Sequence, residues 1–129
     1  DHVWMVPNGD GPRDNPAIAH LNLGQLGAPG RPTPLLTKTL LFIGEGFTNQ
    51  RPGGRIPREM PVEIATNSGG PMFRAYDKTD GSIVWEVELE AGTTSPPISY
   101  LYEGEQYITV AIGDREYSPE LVAFKLNSN

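Results

Sequence analysis

The chain has 129 residues, a formal net charge of −6, 15 glycines, 13 prolines and no cysteine. The acidic balance argues against a nucleic-acid partner and leaves no polybasic segment for an anionic membrane surface. The lack of cysteine excludes disulfides and thiolate metal sites, and no apolar run approaches the ~20 residues of a membrane-spanning helix.

The elements are short and follow one another through Gly- and Pro-rich connections, which predicts strands and turns rather than long helices. Asp1–Val6 has no basic n-region, so it reads as the interior of a structure and not as a signal peptide. Val3–Val6 is the first predicted strand. Pro7–Thr33 is a long loop with a helical turn at Ala17–Leu21. Leu35–Thr37 and Thr39–Gly44 form a predicted hairpin, followed by a second long loop, Glu45–Pro71. Met72–Asp77 and Ile83–Leu89 are strands joined through Lys78-Thr79-Asp80-Gly81, where Asp-Gly supplies the turn chemistry. Pro97–Tyr102 and Tyr107–Gly113 pair through Glu103-Gly104-Glu105, and Leu121–Leu126 is the last strand.

These elements repeat. Pro34-Leu35-Leu36 and Leu41-Phe42-Ile43-Gly44 parallel Pro97-Ile98-Ser99 and Val110-Ala111-Ile112-Gly113. Met72–Tyr76 parallels Glu120–Phe124, and Val3-Trp4-Met5-Val6 parallels Val84-Trp85-Glu86-Val87. With the strands of one unit lettered A to D, the chain reads D (3–6), then A–B–C–D (about 34–89), then A–B–C (about 97–126). Such repetition predicts radial or solenoid assembly. In a meander the A–B and C–D turns share one face, and the B–C and D–A loops share the other. Both long loops fall in the second class, so one face is predicted to be the working surface.

Ala75-Tyr76-Asp77-Lys78-Thr79-Asp80-Gly81-Ser82-Ile83-Val84-Trp85 has the form Ala-x-Asp-x-x-x-Gly-x-x-x-Trp. This spacing is the docking motif of a β-propeller blade whose Trp packs on its neighbour. Ala75, Asp77, Gly81 and Trp85 carry it, and Trp4 holds the Trp position of a preceding copy. The predicted fold is therefore all-β: a single segment, 1–129, of about two four-stranded antiparallel blades. Other blades of the same propeller, or further copies of the chain, would complete the ring.

Ala75–Trp85, the run Glu88–Tyr100, Gly104-Glu105-Gln106-Tyr107-Ile108-Thr109-Val110-Ala111-Ile112-Gly113 and Glu120–Phe124 together resemble the C-terminal end of pyrroloquinoline-quinone (PQQ) dependent dehydrogenases. Trp4–Asp14 and Gly30–Phe42 are similar to the glucose and polyol branch. The resemblance implies an eight-bladed propeller in the periplasm, with PQQ and Ca²⁺ or Mg²⁺ in an axial funnel. An Asp base there takes the alcohol proton while hydride passes to the quinone. It also implies that the base and metal ligands lie in other blades. This chain would then be scaffold and funnel rim, inactive alone and holding no cofactor by itself. Thr93, Thr94 and Asp114 are the rim candidates; relatives tend to carry Gly or His at the position of Asp114. The alternative is a non-catalytic propeller-repeat protein that binds or self-assembles through its long-loop face.

Other polar groups have simpler readings. Asp77 suits the turn at Gly81 as a hydrogen-bond acceptor. Asn8, Asp10, Asp14 and Asn15 fit no EF-hand spacing and suit Asx turns. Arg51, Arg55 and Arg58 suit a solvated loop, and His2 and His20 belong to no visible triad or zinc motif.

Overall fold

The computed structural model describes residues 1–28, 30–46, 69–114 and 116–125. Seven strands follow in chain order: β1 (Leu35–Leu36), β2 (Leu40–Gly44), β3 (Met72–Asp77), β4 (Ile83–Glu88), β5 (Ile98–Tyr102), β6 (Glu105–Ile112) and β7 (Glu120–Lys125). They make a four-stranded sheet, β1-β2-β3-β4, and a three-stranded sheet, β5-β6-β7. Every pairing is antiparallel and joins sequence neighbours. The result is two all-β meanders side by side, neither closed on itself, as blades of a propeller are.

Turn chemistry sets each hairpin. Between β3 and β4, Gly81 has φ of +75°, a conformation open to glycine, and its amide donates to the Asp77 carbonyl at 2.9 Å. The Thr79 amide donates to Asp77 Oδ1 at 2.7 Å, the turn role predicted for that carboxylate. Between β5 and β6 only Glu103 and Gly104 turn the chain, with φ of 52° and 81°. This is type I′ geometry, whose twist matches the flanking strands. β6 therefore begins at Glu105, two residues earlier than the sequence pattern suggests.

Cross-strand partners share a face. Phe42, Phe73, Ala75, Leu89 and Ala91 from the first unit meet Ile108, Val110 and Ile112 from the second in one buried core. The opposite face of the first sheet carries Arg74 and Tyr76, both buried. The opposite face of the second sheet carries Ile98, Tyr100, Tyr102 and Leu121, all exposed.

Two expected elements differ. Residues 3–6 belong to no strand pairing among the described residues and lie instead at the Gly81 turn. The helical turn is a single 3-10 turn over Ala19–Leu21. Most of the Glu45–Pro71 loop, with Arg51, Arg55 and Arg58, lies outside the described residues, as does Leu126.

Candidate functional site

The N-terminal segment covers the first sheet at two places. At the turn end, the Trp4 indole N–H donates to the Lys78 carbonyl at 2.8 Å. The ring lies over Gly81, where a Cβ would come within 2.7 Å of it and 3.2 Å of Val6 Cγ1. Gly81 thus serves both its turn and the indole, and Lys78 contributes only backbone. Such docking satisfies the indole N–H while the ring supplies apolar contact.

The second place is at the other end of β2 and β3. Asn8 Nδ2 donates to the Gly44 carbonyl at 2.8 Å, and Asn8 Oδ1 accepts from the Tyr76 hydroxyl at 3.0 Å. Beside it Arg74, 2% exposed, donates from Nη1 to Glu45 Oε1 at 2.6 Å and from Nε to Glu86 Oε2 at 3.0 Å. Glu45 is 6% exposed, whereas the Glu86 side chain is half in solvent. Burial opposes the Arg74 charge, but hydrogen bonding and charge from Glu45, then Glu86, outweigh it and hold the guanidinium above its ordinary value. Burial pushes the Tyr76 hydroxyl up, against the pull of Arg74.

Trp85 pairs with Ala75 across the β3–β4 ladder. It meets Phe73 edge-on with centroids 6.0 Å apart and Phe124 at 5.2 Å. It is 37% exposed and lines a cavity of about 500 Å³ between the sheets, with Phe42, Ile108 and Phe124 among its walls. The two indoles therefore differ: Trp4 sits on a formed turn, and Trp85 sits in an aromatic cleft. By the repeat, the counterparts of Lys78 and Gly81 for Trp85 are Leu126 and Asn129, which lie outside the described residues.

The three rim candidates come to one end of the second sheet. The Gly113 amide donates to Gly92 at 3.1 Å and the Thr94 amide to Ala111 at 2.9 Å. Thr93 bridges Ile112 and is buried directly against Gly44, where no Cβ could fit. Thr94 is exposed. Asp114 Oδ1 accepts from the amides of Glu116 and Tyr117 at 2.8 and 2.7 Å, which organises its own loop.

The polar N-terminal loop divides its side chains. Asp10 pairs with Arg13 at 3.1 Å, and Asn15 Oδ1 accepts from the Ala17 amide at 2.9 Å. His2 and His20 are exposed. Among the described residues, no three His, Cys, Asp or Glu side chains converge to hold a metal ion. No described helix is long and apolar enough to cross a membrane.

Comparison with known proteins identifies the family. The family "PQQ: Glucose/ethanol/alcohol dehydrogenase, beta-propeller domain" matches residues 1–108. The chain belongs to this family. Quinoprotein alcohol dehydrogenase PedE of Pseudomonas putida is 38% identical over 50 residues, 39% of this chain and 8% of that protein. Quinoprotein glucose dehydrogenase of Gluconobacter oxydans is 30% identical over 79 residues, 57% of this chain and 10% of that protein. The dehydrogenase subunit of alcohol dehydrogenase (quinone) from Gluconacetobacter polyoxogenes is 42% identical over 41 residues, 32% of this chain and 6% of that protein. The chain thus matches a tenth or less of the length of these relatives. No solved structure matches it.

The Arg74–Glu45–Glu86 cluster escaped the sequence reading. Half of it had a signal: in the β3–β4 hairpin, Arg74 lies opposite Glu86, an opposite-charge cross-strand pair. Glu45, 29 residues before Arg74, had none.

Proposed function

We propose that this chain forms C-terminal blades of a periplasmic, PQQ-dependent sugar or alcohol dehydrogenase-like oxidoreductase, and acts there as scaffold and funnel rim. Ala75, Asp77, Gly81, Trp85 and Trp4 are its docking residues, and Thr94 and Asp114 lie at the funnel rim, with the buried Thr93 behind them against Gly44. The observation that carries this reading is the Trp4 indole on Gly81 with its N–H on the Lys78 carbonyl. It joins one motif copy to the next, as a propeller requires. The parent reaction is hydride transfer from an alcohol or aldose carbon to the quinone, with the base and metal ligands supplied by other blades.

Dye-linked oxidation of glucose and ethanol by the purified chain with PQQ and Ca²⁺ tests the division of labour. The expected result is no turnover above the protein-free control. Sustained turnover would place the catalytic groups in this chain and overturn the reading.

A further inference from the structure

We propose that Glu45 is a coupling pin. Its buried carboxylate and backbone join three loop segments, at Gly9, Gly30 and Gly70, to Arg74 of β3, so that a disturbance in one segment is felt in the others. The coupling needs no quinone chemistry. It also goes beyond a scaffold role, which requires only that each loop stay folded.

A carboxylate 6% exposed needs a partner, and Glu45 finds one on β3. Oε1 accepts from Arg74 Nη1 at 2.6 Å, while Glu86 of β4 holds the same guanidinium through its Nε at 3.0 Å. The charge is thus fixed to the sheet from two strands. The backbone around Glu45 is fixed as well. Its amide donates to the Met72 carbonyl at 3.1 Å, and the carbonyl of Gly44 accepts from Asn8 Nδ2 at 2.8 Å.

Glycines close around this side chain. Gly9 and Gly70 are buried, one against each carboxylate oxygen. A Cβ on Gly70 would collide with Oε2. A Cβ on Gly9 would come within 3.3 Å of Oε1 and 3.0 Å of Ala28 Cβ. A Cβ on Gly30 would come within 2.6 Å of the Glu45 carbonyl oxygen. The segment at Gly9 is in turn bonded to the one before Gly30: the amides of Gly27 and Ala28 donate to the carbonyls of Gly9 and Asn8, both at 2.9 Å. On the far side, the Pro71 carbonyl accepts from the Leu89 amide at 2.9 Å. Glu45 therefore stands between two hydrogen-bonded groups that are distant in sequence. Held by Arg74 and enclosed by backbone, it has no room to yield, and a close-packed interior transmits strain. Gly24 offers the contrast, since nothing lies within 4 Å of a Cβ placed there.

Amide hydrogen exchange of the 129-residue chain, read residue by residue, tests the coupling. Gly70→Ala should speed exchange of the Gly27 and Ala28 amides by about tenfold, through Glu45, and leave β6 amides unchanged. In the other direction, Gly30→Ala should speed the Leu89 amide. Gly24→Ala should alter none of them. In a Glu45→Ala chain the Gly27 and Ala28 amides should already be fast, and adding Gly70→Ala should change them no further. Glu45→Gln is the milder disturbance, keeping the shape and losing the charge; it should speed the Ala28 and Leu89 amides together. The proposal is overturned if Gly70→Ala leaves the Gly27 and Ala28 amides at their original rates, or acts on them equally with and without Glu45. It is equally overturned if Glu45→Gln moves only one of the two groups, or if β6 amides rise by the same factor, which would mark general unfolding.

Discussion

The two sheets come from one repeating pattern and end in different surroundings. The first is covered on both faces: by the second sheet on one, and by Trp4, Asn8 and Glu45 on the other. Among the described residues, the second is covered on one face only. Equivalent positions therefore carry different weights. Phe73 lies in the shared core, while Leu121, its counterpart, is exposed. Arg74 is locked between two carboxylates, while Val122 has no charge to satisfy. A blade acquires its core from its neighbour, so the same strand pattern is worth little until something lies against it.

Substitutions at matched positions should separate the two surroundings. Phe73→Ala should cost about 4 kcal/mol in urea unfolding, as large-to-small changes in a core do. Leu121→Ala should change the unfolding of the single copy by less than about 0.5 kcal/mol. Equal costs would mean that the sheets are equally buried. Next in size is Arg74→Met, which leaves Glu45 buried without its partner and should cost about 3 kcal/mol. Adding Glu45→Gln should recover part of that loss. Full additivity of the two changes would show that the pair is not coupled.

The indoles follow. Trp85→Ala should cost about 2–3 kcal/mol, less than a fully buried Trp because 37% of it meets solvent. Trp4→Ala loses one hydrogen bond and the apolar cover of the Gly81 turn and should cost about 2 kcal/mol. A Trp4→Ala chain as stable as the original would detach the N-terminal segment from the first sheet.

The smallest effect is acid-linked. The Ser82 amide, then the Ser82 hydroxyl, hydrogen-bonds the Asp80 carboxylate and lowers its pKa. A folded value below the unfolded one gives stability that is present above about pH 4 and lost as pH falls through the folded value. Asp80→Asn should flatten that acid limb by lowering stability slightly at neutral pH, while leaving it unchanged at pH values where Asp80 is protonated in both states.

The sequence carried the sheets well and their surroundings poorly. The bounds of β3 were legible because apolar residues fill it and the turn begins at Asp77. The β5–β6 turn was placed correctly at Glu103-Gly104, but β6 starts at Glu105, two residues before its expected start, because the two-residue turn leaves Glu105 and Gln106 free to pair. Residues 3–6 had the composition of a strand, but a strand also needs an edge, and composition does not report one. The docking motif marked Trp4 and Trp85: Trp4 lies on the Gly81 turn, and the turn on which Trp85 would dock falls outside the described residues. The buried cation had to be found in space, since Glu45 reaches Arg74 from outside the hairpin. The quinone reading came wholly from resemblance; no constellation in this chain spells that chemistry.

The contrast between the sheets is tested most directly by native-state hydrogen exchange of β3 and β7 amides. β3, flanked by β2 and β4, should be slow. β7, which pairs only with β6 among the described residues, should have fast amides on its outer edge. Outer-edge β7 amides as slow as those of β3 would contradict the account.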